Sequence, residues 1–67
     1  MVLFRIANMR CGGCVRSVTS ALRGVDPAAE VRVDLGRREV TVEGVADADV
    51  LAQALRGAGF EGERVFA

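Results

Sequence analysis

Strand, helix, strand, strand, helix, strand is the order of hydrophobic periodicities along this chain. It predicts an α+β domain of the ferredoxin-like type, a β-α-β-β-α-β sandwich with a four-stranded antiparallel sheet and two helices on one face. Three observations support this. Apolar residues recur with period 2 in three short stretches, two longer stretches repeat their apolar residues at helical spacing, and turn-forming residues separate the stretches.

Val2, Phe4 and Ile6 alternate with Leu3, Arg5 and Ala7, the period-2 pattern of a first strand. From about Gly13, Val15, Val18 and Leu22 recur at helical spacing with Ala21 between them, while Arg16, Ser20 and Arg23 fall on another face. Gly24 is placed to end this helix, and Asp26-Pro27 signals a turn. Val31 and Val33, then Val40 and Val42, alternate with charged residues on either side of Gly36-Arg37, predicting a hairpin with one buried face. Asp47 is the expected N-cap of a second helix, with Asp49 in its first turn and Leu51, Ala54 and Leu55 as its apolar stripe. Gly57 and Gly59 end it, and a final strand is expected from about Glu63 to Phe66, around Val65.

The 67 residues suffice for one small domain, residues 1–67, with no linker, repeat or low-complexity stretch. About 60% of the surface is buried on folding at this size, so modest stability is expected. Nine arginines balance nine acidic residues, and that neutrality argues against nucleic acid as a partner. No apolar run approaches the roughly 20 residues of a membrane span, and Met1 to Ala7 is too short for a secretory signal. These features predict a cytoplasmic protein that does not insert into membranes. Met1 at the start and a last strand reaching Ala67 favour a standalone protein over a piece of a transporter.

The chemistry is concentrated in Met9-Arg10-Cys11-Gly12-Gly13-Cys14. Cys11 and Cys14 are the only cysteines, and histidine is absent. A structural zinc site normally takes four cysteine or histidine ligands, twice what one chain offers, whereas Cu(I) is content with two soft sulfurs. The pair lies where the first strand gives way to the first helix. Helix N-termini stabilise anions, so Cys14 is expected to ionise more easily than a free thiol, with Arg10 and Arg16 flanking it. The thiolate is the form that binds metal. Gly12 and Gly13 leave the backbone free to bring the sulfurs together, because glycine tolerates positive φ. Met9 has two readings, a thioether third ligand or, favoured here, an inward-packed filler of the core. Phe60 also has two, a cover over the cysteine loop or a core aromatic. Arg16, Ser20 and Arg23 read as a docking face or, by base rates, a solvated one.

With Val15 and Val18 following it, the Met9–Cys14 segment resembles the Met-x-Cys-x-x-Cys motif of the heavy-metal-associated domain. That family includes bacterial copper chaperones and N-terminal domains of copper-transporting P-type ATPases. The resemblance extends to Phe4-Arg5-Ile6, to Val31–Leu35 and Val40–Val42, and to Ala54–Phe60. It implies the same sandwich, Cys11 and Cys14 as metal ligands, and Met9 as buried support. Phe60 stands where bacterial members often have Tyr and eukaryotic chaperones Lys, so its ring offers the thiolates neither hydroxyl nor charge. Asn8 stands where the family usually has Gly; its amide is expected to cap or brace the loop, and asparagine tolerates left-handed backbone. Residues Val25 to Glu30 are slightly longer than in many members.

The resemblance implies a soluble carrier, not an enzyme, that binds Cu(I) and passes it by thiolate exchange to a copper-transporting P-type ATPase or a copper-responsive regulator. A metal-bridged homodimer sharing four cysteines also fits so exposed a pair. Hg(II), Zn(II) and Cd(II) are the rival metals; zinc and cadmium relatives often carry an acidic residue where this chain has Arg10, whose charge suits a monovalent ion. The rival from another class is a small thiol–disulfide redox protein, since Cys-x-x-Cys at a helix start is also the thioredoxin-type arrangement. Against it stand the absence of Trp before the pair and of Pro within it. A plain interaction module with incidental cysteines is disfavoured by their spacing and position.

Overall fold

A computed structural model describes residues 1–66, Phe66 through its backbone. Ala67, to which the sequence reading extends the domain and its last strand, lies outside the described residues. The elements follow the expected order: β1 (Val2–Ile6), α1 (Gly12–Val25), β2 (Glu30–Asp34), β3 (Glu39–Glu43), α2 (Ala48–Gly57) and β4 (Gly62–Phe66). The strands form one sheet in the order β2-β3-β1-β4, every neighbouring pair antiparallel. This is the ferredoxin-like sandwich that the periodicities predict.

Register explains why one face is apolar. Val31 pairs with Val42 and Val33 with Val40, and Val40 in turn lies opposite Phe4. Phe4, Ile6 and Val40 are fully buried against Val18 and Leu22 of α1 and Leu51 and Leu55 of α2. Each such side chain contributes roughly 1.5–3 kcal/mol of transfer free energy. Gly62 allows α2 to sit close: a Cβ there would lie 2.7 Å from Leu55 Cδ1 and 3.3 Å from Phe4 Cδ1. On the other face Arg5 lies opposite both Glu39 and Glu63 and pairs with Glu39 at 3.1 Å, an exposed contact of small energetic weight.

Two helix ends and one turn differ from expectation. Helix α1 runs through Gly24 to Val25, and Asp26 caps it, its N–H donating to the Leu22 carbonyl at 3.0 Å. The stop comes from Pro27, which disfavours helical backbone in the residue before it, and Asp26 is accordingly at φ −135° and ψ 88°. Asp47 occupies the N-cap of α2 with extended backbone, but its exposed side chain makes no capping bond. The loop before α2 is held instead by Asp26, which is 7% exposed and whose Oδ2 accepts from Val45 N at 2.9 Å and Ala46 N at 3.3 Å. In the β2–β3 turn, Arg38 N donates to the Leu35 carbonyl at 3.2 Å, and it is Arg38, not Gly36 or Arg37, that takes the left-handed conformation, φ 57°.

Strand directions gather the loops at two ends. The β1–α1 loop, the β2–β3 turn and the α2–β4 loop share one end, where β1 delivers the cysteines. The α1–β2 and β3–α2 loops close the other.

Candidate functional site

Cysteine spacing and helix geometry coincide at the start of α1. Cys11 is the N-cap, extended at φ −145° and ψ 169°, and its carbonyl accepts the first helical bond from Val15 N at 3.1 Å. Cys14 is then the third helical residue, and its N–H donates to Cys11 Sγ at 3.4 Å. A helix leaves its first N–H groups without partners, and the residue at the N-cap normally satisfies one at the second or third position through a side-chain oxygen. Here sulfur takes that place, so the two-residue gap of Cys-x-x-Cys equals the gap between the cap and the N–H it satisfies. The expected place of Cys14 in the first turn holds, whereas Cys11 as the cap is new; its signal in the sequence is its position three residues before Cys14 at the start of the helical pattern.

The two sulfurs lie 3.0 Å apart, both as free thiols. Cys11 is exposed and Cys14 half-buried. Cys14 ionises below the ordinary thiol value. The hydrogen bond with the Cys11 sulfur is the largest cause, followed by backbone groups of Arg10, Cys11 and Cys14, with desolvation opposing. The direction matches expectation, while the causes differ: the neighbouring thiol leads, and Arg10 acts through its backbone.

Arg10, Gly12 and Gly13 are exposed around the pair. Neither glycine has positive φ, contrary to the freedom expected of them, because helical backbone brings the sulfurs together without it. Met9 is fully buried in the core, its N–H donating to the Ile6 carbonyl at 3.1 Å. Phe60 is 8% exposed and belongs to the same core. Asn8 is not left-handed; its Nδ2 donates to the Gly59 carbonyl at 3.0 Å. Arg16, Ser20 and Arg23 are exposed on α1. Among the described residues no ligand-sized pocket opens, and no group of three or more cysteine, aspartate or glutamate side chains converges on a point where a metal ion would sit.

The sequence model of the heavy-metal-associated domain matches residues 3–61. The chain belongs to the heavy-metal-associated domain family. It is 40% identical over 60 residues to a copper-transporting ATPase 2 of Rhizobium meliloti, a match covering 85% of this chain and 7% of that protein. The chain therefore spans a small fraction of the length of that relative. Among solved structures, a gold-binding protein is 38% identical with a TM-score of 0.91, covering 96% of this chain and 98% of that one. A trimeric copper form of the chaperone Atx1 from Synechocystis is 30% identical with a TM-score of 0.91, covering 94% of this chain and all of that one. The heavy-metal-associated family is one of metallochaperone-type carriers, typically non-enzymatic. In this member, no helix among the described residues is long and apolar enough to cross a membrane.

Proposed function

We propose that this heavy-metal-associated domain carries Cu(I) on Cys11 and Cys14 and gives it up by ligand exchange. The observation that supports this best is the isolated sulfur pair: two thiols 3.0 Å apart at a helix N-terminus, one exposed, with no third ligand gathered around them among the described residues. Two thiolates satisfy a soft monovalent ion and leave a divalent ion that prefers four ligands under-coordinated. An ion held in line between two sulfurs sets them two metal–sulfur bonds apart, farther than the 3.0 Å that separates the free thiols, so loading requires the sulfurs to separate. Cys11 has the room, since it is exposed and a Cβ on neighbouring Gly12 would meet nothing within 4 Å.

Both thiols lose their protons on loading, and the lowered pKa of Cys14 favours that loss. A partner thiolate then attacks the exposed ion to give a three-sulfur intermediate. One domain sulfur departs and takes up a proton, and the second follows as the partner's second sulfur binds. The partner fitting this exchange is another paired-cysteine domain, that of a copper-transporting P-type ATPase or a copper-responsive regulator, met in the cytoplasm. Met9, buried in the core, supports the loop and does not ligate. Phe60 closes the core beneath it.

The test is a competition titration of the reduced protein with Cu(I) against a coloured Cu(I) chelator, run beside Zn(II) and repeated on Cys11→Ser and Cys14→Ser. The expected result is one Cu(I) per chain, held far more tightly than Zn(II) and lost in both variants. Weak Cu(I) binding indifferent to either substitution refutes the reading. Parallel titrations with Hg(II) and Au(I), ions that also accept two thiolates, rank the metals, and a stoichiometry of one metal per two chains reveals a bridged dimer.

A further inference from the structure

The segment leading to the cysteines is tethered on two sides. Towards the β2–β3 turn, Ile6 N donates to the Arg38 carbonyl at 2.7 Å and Arg38 Nη1 reaches the Ala7 carbonyl at 3.5 Å. Towards the α2–β4 loop, Asn8 Nδ2 donates to the Gly59 carbonyl at 3.0 Å, across 51 residues of sequence. Among the described residues this is the one side-chain hydrogen bond joining those two loops.

Its acceptor is a fixed point. Gly59, at φ 91°, donates its N–H to the Arg56 carbonyl at 3.0 Å, and Phe60 N donates to the Leu55 carbonyl at 2.9 Å. Those two bonds form the Schellman arrangement, in which a left-handed glycine closes a helix C-terminus and the following residue packs back on the last turn. Phe60 and Leu55, both in the core, supply that packing. The Gly59 carbonyl is thus held by the end of α2, while residues 10–13 are exposed.

We propose that Asn8 is a positioning residue for the metal loop: its amide couples the loop to the capped end of α2, and so sets how readily Cys11 and Cys14 release their metal. The proposal rests on the reading of those cysteines as Cu(I) ligands. A loop held in one conformation before binding loses less freedom on loading. With the tether cut, Cys11 samples more positions, which weakens two-sulfur capture and hastens hand-over.

The experiment compares the full chain with Asn8→Ala and with Asn8→Asp, which keeps the shape but removes the donor. Both variants should bind one Cu(I) per chain and release it to a competing chelator roughly three- to tenfold faster, the span expected from one lost hydrogen bond. In the metal-free proteins, amide hydrogen exchange should accelerate together at Met9, Cys14, Gly59 and Phe60 and stay unchanged at Leu51. Release rates equal to the parent chain's overturn the proposal, even if the melting temperature falls, because a purely structural bond would lower stability without touching release. Normal release from Asn8→Asp also overturns it. If the parent chain binds no Cu(I), the carrier reading fails, and the exchange measurement still decides whether Asn8 couples the two loops.

Discussion

Both ends of the sandwich use a side-chain hydrogen bond from one loop to the backbone of another, and they differ in what surrounds that bond. Away from the cysteines, Asp26 is 7% exposed and holds Val45 and Ala46. Gly44 beside it has no room for a methyl group: a Cβ would run into Asp26 Oδ2 and lie 2.9 Å from Ala29 Cβ. At the cysteine end the Asn8 to Gly59 bond is exposed, Cys11 faces solvent, and a Cβ on Gly12 would meet nothing. One end is packed and fixes the fold. The other is left open, and there the Cys11 cap of α1 and the Asn8 amide are what hold the cysteine loop.

Substitutions should therefore separate stability from metal binding according to the end they touch. Cys11→Ser has the largest expected effect at the open end. Serine is a preferred N-cap whose oxygen satisfies the same helical N–H, so the metal-free melting temperature should hold or rise while stoichiometric Cu(I) binding disappears. A marked drop in melting temperature would mean that the sulfur does more for the fold than cap the helix. At the packed end the pattern should invert. Asp26→Ala leaves the N–H groups of Val45 and Ala46 without their acceptor and should cost about 1–3 kcal/mol, read by urea unfolding, with Cu(I) affinity per folded chain unchanged. Gly44→Ala forces Asp26 and Ala29 to shift and should cost about 1–3 kcal/mol by crowding. Altered metal affinity in either variant would show that the two ends are coupled through the core.

The architecture was legible because most elements carried their own period, and the last strand, Gly62–Phe66, was placed by the order of the others. Val2, Phe4 and Ile6, or Val40 and Val42, can bury one face only as strands, and Val15, Val18 and Leu22 share a face only on a helix. The cysteine pair was legible too, through spacing and the lack of rivals. What the sequence hid depends on contacts between loops far apart in the chain. Asp26 reads as half of an Asp-Pro turn signal, and nothing local says that its carboxylate crosses to Val45. Asn8 could be expected to brace the loop, but its partner, Gly59, is set by the topology. Arg38 at φ 57° has no local signal, since Gly36 nearby is the residue that would ordinarily take that conformation. Its carbonyl is needed by Ile6 of the central strand, and that tertiary demand overrides the local preference.

The smallest expected effect sharpens the comparison most, because it repeats one chemical change with the opposite sign. Gly12 is the first residue of α1, has ordinary φ, and a Cβ there would touch nothing within 4 Å. Gly12→Ala restricts the unfolded chain without straining the folded one and should stabilise the metal-free protein by about 0.4–1 kcal/mol, where Gly44→Ala destabilises. The Cu(I) release rate then reports what the open space is for. If glycine is there only because nothing packs on the loop, release is unchanged and the gain in stability is free of consequence. If the sulfurs separate on loading by moving the backbone at residue 12, the stiffer alanine slows both uptake and release. Stopped-flow transfer to a Cu(I) chelator, measured beside thermal melting, distinguishes the two, and a loss of stability in Gly12→Ala would overturn the picture of open space around Gly12.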